Sequence, residues 1–224
     1  MKLGAYISAV TLIASIFLSG CVTSLVYSPS MQLPTQPLQK EQGQVGVGMV
    51  LLPETRPSIA DQKSTLGTEG FIRYAFSNKF SLQARYWNDV YLYDGHYRGG
   101  FSGSGTYVFG DSLSNCQYGL TVTVGTSMDN ASLTGKGTSV VGSVWLPKLH
   151  NDLRPYSSIG IIAGAHSSDF NEWGGGILLQ CGIGWNISRI WSVNLEGTFI
   201  GQANFYENIS HGIPSLSLAT SLTF

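Results

Sequence analysis

Four histidines and the acidic residues close to them in sequence are the first candidates for chemistry. His96, His166 and His211 fall in three polar stretches between apolar segments, and His150 falls in a fourth. The acidic residues nearby are Asp94, Asp169, Glu172 and Glu207. Imidazole and carboxylate groups that converge can bind a metal ion or activate water for hydrolysis. Loop residues of this kind are more often solvated surface groups, so we expect no catalytic residue, no metal site and no cofactor.

Two resemblances to outer-membrane enzymes stop after a few residues. Asp94-Gly95-His96 resembles the Asp-x-His pair of the omptin proteases, but the sequence contains no Asp-x-Asp partner. The run from His166 to Ser168 resembles only a part of the pattern of the lipid A deacylases, because the residues expected after it are absent. We therefore predict that the chain is not an enzyme. A rim-acting hydrolase, either a protease or a lipid-modifying enzyme, is the alternative.

The composition points to a membrane rather than to nucleic acid. Only 11% of the 224 residues are charged and 43% are hydrophobic, with 28 glycines. Soluble proteins average about 25% charged residues. The net charge of −1 leaves no basic excess for binding nucleic acid.

The first 42 residues read as a targeting segment followed by a tether. Lys2 precedes an uncharged stretch that ends at Cys21, which is the layout of a signal peptide. Leu18-Ser19-Gly20-Cys21 resembles the bacterial lipobox, whose cysteine is acylated and becomes the first residue of the mature chain. The resemblance implies a signal peptide over 1–20, lipidation of Cys21 and a tether over 21–42. An uncleaved membrane helix is the alternative.

The residue after the lipobox bears on the destination of the chain. Val22 stands where aspartate would be a retention signal, and this resembles lipoproteins that are sent on to the outer membrane. No acidic run follows it as far as Gln39. We expect an outer-membrane protein that is lipid-anchored on the periplasmic side.

From residue 43 to residue 224, apolar and small polar residues alternate with the period of two that indicates strands. Each strand has about the 9–11 residues that cross a bilayer at a tilt. The segments are 44–52, 67–77, 80–90, 99–109, 117–127, 137–146, 156–165, 176–187, 191–201 and 213–224. The prediction is an all-β fold: one closed antiparallel transmembrane β-barrel, an up-and-down meander of about ten strands, with eight or twelve as alternatives.

The connections between these segments alternate in length. Tight links at 77–79, 110–116, 147–155 and 188–190 are predicted on one side, and longer loops at 53–66, 91–98, 128–136, 166–175 and 202–212 on the other. This asymmetry is typical of outer-membrane barrels. An even strand number then brings both chain ends, and the lipid on Cys21, to the short-turn side.

Aromatic residues cluster at the short-turn ends of the predicted strands. Aromatic rings favour the interface between membrane and water, so a ring of them at one level indicates an aromatic girdle. The girdle residues are Phe76, Phe80, Phe109, Tyr118, Trp145, Tyr156, Trp185, Trp191 and Phe224. Tyr156 is out of phase with Ile159 and Ile161, which predicts a bulge or a later start in the seventh strand.

Charged residues on the opposite strand faces are predicted to line the lumen. They are Glu69, Arg73, Arg85, Asp89 and Glu196. An outward Arg or Lys would cost about 2–4 kcal/mol at the bilayer midplane. A barrel of this size is largely filled by side chains, so a structural charge network is favoured and a narrow pore is the alternative.

The terminal Phe224 resembles the last-strand signal that the barrel-assembly machinery recognises. The partners implied are this machinery, outer-membrane lipids and a further outer-membrane protein. The predicted function is a structural or interaction role without catalysis.

Overall fold

The alternating residues form ten antiparallel strands in the computed structural model of the protein. The structure describes residues 37–52, 65–90, 97–110, 116–129, 132–149, 152–166, 172–204 and 209–224. The strands are β1 (Gly43–Leu52), β2 (Thr65–Ala75), β3 (Phe80–Val90), β4 (Tyr97–Phe109), β5 (Gln117–Asp129), β6 (Ser132–Trp145), β7 (Leu153–His166), β8 (Glu172–Asn186), β9 (Trp191–Asn204) and β10 (Ile209–Thr223). Within the described ranges there is no helix of sufficient length and apolarity to span a bilayer.

Each strand pairs with the one before it, and β1 pairs with β10, so the sheet closes into an up-and-down barrel. Val45, for example, stands opposite Ile72 on β2 and Leu222 on β10. Full closure leaves no strand edge exposed. The prediction of a closed ten-stranded antiparallel barrel is confirmed.

The strands extend further than predicted at one end of the barrel. The end that carries the connections 76–79, 110–116, 146–152 and 187–190 is called the short-turn end here, although 110–116 and 146–152 are longer than four of the connections at the other end, so the predicted length asymmetry was wrong. At the other end the predicted long loops over 128–136, 166–175 and 202–212 were wrong, because β5 to β10 continue to pair there and leave only 130–131, 167–171 and 205–208 between them. Glycines such as Gly135 and Gly174 take part in this added pairing.

The predicted irregularity in the seventh strand was also wrong. β7 starts at Leu153 and pairs with β6 in unbroken register from Gly135 opposite His166 to Trp145 opposite Tyr156. A register shift occurs instead between Ser127 and Met128, in the pairing of β5 with β6. Tyr156 is out of phase because its side chain points inward, where it is buried.

The distribution of side chains is the reverse of that in a water-soluble protein. The outer wall exposes apolar residues, with Val47 at 61% and Ile161 at 63% of their full exposure. The interior buries charged and polar groups, including Glu69, Arg73 and Glu196. This is the arrangement that a barrel needs when its outer wall faces hydrocarbon.

The chain ends meet at the short-turn end. Gly43 and Phe224 exchange two backbone hydrogen bonds of 2.9 Å, which continue the β1–β10 pairing past the last residue of β10. The Phe224 ring lies against Gly43, where an added Cβ atom would overlap it. The terminal strand is therefore fixed at the seam of the barrel.

Candidate functional site: the barrel interior and its short-turn mouth

A buried carboxylate on β9 organises one half of the interior. Glu196 Oε2 accepts a 2.5 Å hydrogen bond from the Tyr156 hydroxyl. Its Oε1 accepts bonds of 3.2 Å from Gln180 Nε2 and from Thr198 Oγ1. The Tyr156 oxygen in turn accepts a 3.0 Å bond from Asn194 Nδ2. Every partner is a side chain of β7, β8 or β9, so the network ties three neighbouring strands together.

The arginines lie on the opposite side of the interior. Arg85 Nη1 is 3.8 Å from Glu69 Oε2, and both side chains are buried, on β3 and β2. With the Gln83 amide oriented so that its oxygen faces Arg85, this oxygen accepts bonds of 3.3 Å from Nε and 2.7 Å from Nη2. The guanidinium also lies 5.9 Å from the centre of the Phe71 ring. Arg73 is fully enclosed nearby on β2. Among the described side chains the interior thus balances two cations with two carboxylates.

Among the predicted lumen charges, Glu69, Arg73, Arg85 and Glu196 face inward and are buried. Glu196 is hydrogen-bonded to Tyr156, Gln180 and Thr198, and Glu69 lies beside Arg85. Glu196 is also within electrostatic range of Arg85 and Glu69. Asp89 belongs to β3, but its side chain lies outside the described residues.

Most of the predicted girdle residues face outward at the short-turn end. They are Phe76, Phe80, Phe109, Tyr118, Trp185, Trp191 and Phe224. Tyr74 and Tyr107 extend this layer. The ring centres of Tyr74 and Phe76 are 5.0 Å apart, and those of Tyr107 and Phe109 are 5.1 Å apart.

Trp145 was wrongly assigned to the girdle. Its side chain is completely buried inside the barrel, in a cluster with Val108 and Tyr156. Gly119 on β5 leaves room for the indole, since a Cβ atom there would come within 2.7 Å of it. Trp145 has the same parity along β6 as the buried Val141 and Ser143, and this inward parity overrides its place at the strand end.

The short-turn mouth is closed by a segment that sequence reasoning treated as tether. Glu41 N donates to Ala75 O at 2.8 Å, Ala75 N donates to Gln42 O at 3.0 Å, and Lys40 N donates to Asn78 Oδ1 at 2.7 Å. Glu41 has a φ of 66°, which turns the chain across the opening. Leu38 is only 6% exposed and lies at the mouth, where it borders a small cavity lined by Arg73, Val108 and Trp145. An isolated leucine in a polar stretch carries no periodic signal, so sequence reasoning missed it.

The predicted lipidation site and the histidine side chains of the alternative hydrolase lie outside the described residues. Cys21, His96 and His150 fall outside the described ranges, and His166 and His211 belong to β7 and β10 with side chains that are not described. Within the described ranges no group of three or more His, Cys, Asp or Glu side chains is placed to hold a metal ion.

No protein-family model matches the chain, and no curated protein matches it. Solved structures that resemble it include several outer-membrane β-barrels. An outer membrane channel from Pseudomonas putida F1 is 9% identical, with 88% of this chain and 100% of that chain covered and a TM-score of 0.47. The outer membrane protease OmpT from Escherichia coli is 10% identical, with 85% and 98% covered and a TM-score of 0.45.

The N-terminal β-barrel domain of OprF from Pseudomonas aeruginosa is 10% identical, with 84% of this chain and 100% of that chain covered and a TM-score of 0.40. The fold is that of an outer-membrane β-barrel. The neighbours include a channel and a protease on the same architecture, and the likeness extends to the fold alone.

Proposed function

We propose that this protein is a lipid-anchored barrel of the outer membrane with a structural or interaction role and no catalysis of its own. The observation that carries the proposal is the inverted distribution of side chains, apolar outside and polar inside. An exposed apolar surface that encircles a whole molecule needs lipid, because soluble monomers rarely expose patches of more than a few hundred Å².

The outer wall supports a membrane-spanning location. Among the outward side chains that the structure describes in the ten strands, Lys136 alone is charged. It lies on β6 at the end away from the short turns, eight residues from Val144. At about 3.4 Å per residue and a tilt of about 40°, this is roughly 20 Å of height, close to the edge of an apolar band about 25 Å tall. A lysine can extend its amine to the headgroups from this level.

The filled interior supports a role other than conduction. Trp145, Arg73, Leu178 and Glu196 are the largest side chains with almost no exposure, and they occupy the space that a channel would need. Leu38 adds a cover at the short-turn mouth. A continuous water path would require these groups to move together.

The chain ends support anchoring on the short-turn side. Pro37 and Phe224 both lie at that end, and fifteen residues separate Cys21 from Pro37. An extended chain of this length reaches about 50 Å, which is enough to pass from the mouth to the surrounding leaflet. The acyl groups would then lie beside the girdle.

The anchor is tested by metabolic labelling with radioactive palmitate. We expect the wild-type protein to be labelled and Cys21→Ser to be unlabelled, with both recovered in the outer-membrane fraction after carbonate extraction. Cys181→Ser is the control, because Cys181 is a free thiol on the outer wall and should keep full labelling. Label retained in Cys21→Ser would refute the anchor, and loss of both proteins to the soluble fraction would refute the membrane barrel.

The absence of conduction is tested in planar bilayers. We expect no step conductance from the wild-type barrel. Stable single-channel steps that vanish when residues 37–42 are cross-linked to the β2–β3 turn would favour the narrow pore instead. The interaction role is tested by the outer-membrane proteins that co-purify in mild detergent, compared with a barrel of the same size as the control.

A further inference from the structure

A cavity of about 850 Å³ opens at the short-turn mouth. It is called the vestibule here and lies between the N-terminal segment 37–42, the β6–β7 connection and the β8–β9 turn. Pro37, Leu38 and Asn78 border both the vestibule and the small cavity inside the barrel, so the two spaces are adjacent. The mouths of β-barrels are frequent locations for ligand sites.

The side chains that line the vestibule carry an excess of positive charge. Among its described lining residues, Lys148, Arg154 and Arg189 are cationic and Asp152 is the acidic one. Lys148 Nζ lies 3.1 Å from Asp152 Oδ1, so this pair neutralises itself. Among the lining residues that the structure describes, no carboxylate other than Asp152 faces Arg154 and Arg189, and the two arginines favour an anionic occupant.

Arg154 is held in a fixed orientation at the wall. Its Nε donates to Leu146 O at 3.1 Å, and its Nη2 donates to Gln117 Oε1 at 2.8 Å. The side chain is half-buried at the start of β7. These bonds use two of the five N–H donors of a guanidinium and fix its plane. A pre-oriented guanidinium binds the paired oxygens of a carboxylate or phosphate more favourably than a freely rotating one.

Neutral donors line the same vestibule as the two arginines. The described lining includes the amides of Asn78 and Asn186 and the hydroxyls of Ser188 and Thr223. Such groups can donate to the remaining oxygens of an anion.

We propose that the vestibule binds a small ligand through an oxyanion group, phosphate or carboxylate, with Arg154 and Arg189 as its cationic contacts. The proposal goes beyond the structural role above and does not depend on lipidation of Cys21.

Isothermal titration tests the proposal on the full-length protein in zwitterionic detergent and phosphate-free buffer. Inorganic phosphate and succinate are the two probes. We expect saturable one-to-one binding of at least one probe, weakened about tenfold by Arg189→Gln and by Arg154→Lys, as expected for loss of a charge-assisted hydrogen bond. Lys79→Gln is the matched control, because it removes one positive charge at the same end of the barrel from a side chain that does not itself line the vestibule.

The outcomes separate the two ligand chemistries. Binding of phosphate alone assigns a phosphate site, and binding of succinate alone assigns a carboxylate site. Absence of saturable binding of both probes to the folded wild type overturns the proposal, and so does equal weakening by Lys79→Gln. Heat-dependent gel mobility verifies that each variant is folded. Arg189 is exposed, so Arg189→Gln decides the test if Arg154→Lys does not fold. Membrane extraction and palmitate labelling report on the proposed function independently.

Discussion

Tyr156 and Glu196 are joined across an intervening strand. Their 2.5 Å hydrogen bond links β7 to β9, and the residue between them in the same cross-strand row is Gly182 of β8. A Cβ atom at Gly182 would overlap the Tyr156 hydroxyl and ring. The glycine therefore allows the tyrosine to lie flat over β8 and reach the carboxylate.

The first prediction concerns the Tyr156 side chain where it lies over Gly182 of β8. Gly182→Ala should lower the free energy of unfolding by about 1–3 kcal/mol, since the added methyl group forces Tyr156 off its position. Urea unfolding of the barrel in lipid vesicles measures the effect. Gly142→Ala on β6 is the control, because its added Cβ would meet only the Ile159 carbonyl oxygen at 3.8 Å. Equal effects of the two substitutions would contradict the prediction.

The second prediction concerns the hydrogen bond itself. Tyr156→Phe keeps the ring but removes the hydroxyl that donates to Glu196 and accepts from Asn194. We expect it to lower the free energy of unfolding by about 1–3 kcal/mol, because both buried polar groups lose a partner. A double-mutant cycle with Glu196→Gln isolates the coupling between the two side chains. Strictly additive losses would show that the pair does not interact. Tyr118→Phe, on the outer wall, should leave stability unchanged.

The third prediction concerns the closed mouth. In a Cys116→Ser/Cys181→Ser background, Leu38→Cys should react with a water-soluble maleimide much more slowly than Lys40→Cys, because Leu38 is buried and the Lys40 side chain is exposed. The two positions belong to one short segment, so the difference reports burial rather than location. Labelling rates followed by mass spectrometry measure it. Similar rates would mean that the segment leaves the mouth in solution.

The fourth prediction concerns the seam and the last residue. Phe224→Ala should reduce the yield of folded, heat-modifiable barrel in cells, since it removes the ring that lies against Gly43 and the aromatic end that the assembly signal is proposed to require. Phe224→Tyr should retain most of the yield. Phe109→Ala, an outward phenylalanine at the same end of another strand, is the control. A loss in Phe109→Ala equal to that in Phe224→Ala would attribute the effect to girdle hydrophobicity alone.

Much of the wall could be predicted from the sequence because a strand repeats every two residues. On β1, Val45, Val47 and Met49 alternate with glycines, and on β10, Leu216 and Leu218 alternate with Ser217 and Ala219. This local pattern predicts the strands, about ten of them, and the faces of most of them, while closure of the sheet fixes the number at ten. It also indicates that Glu69, Arg73, Arg85 and Glu196 face away from lipid.

The candidate site could be predicted only in part. The girdle residues were predicted from their height along each strand, whereas the direction of a side chain, inward or outward, depends on its parity along the strand. At Trp145 and Tyr156 height and parity disagree. Ile159 and Ile161 already indicated the parity of β7 in the sequence. The chain gave no local sign that Gly119 would face Trp145 or that Gly182 would lie beneath Tyr156.

The sequence alone determined a charge-poor wall of alternating strands, because residues that face lipid must be apolar while residues that face the interior can be polar, and the two kinds alternate along each strand. Only the tertiary structure decided which interior side chains meet. Closure set the register that places Tyr156, Gly182 and Glu196 in one row, and the turn at Glu41 brought Leu38 over the mouth. These relationships join residues on different strands that are at least 14 positions apart in the sequence, and no periodicity within a single strand encodes the space between them.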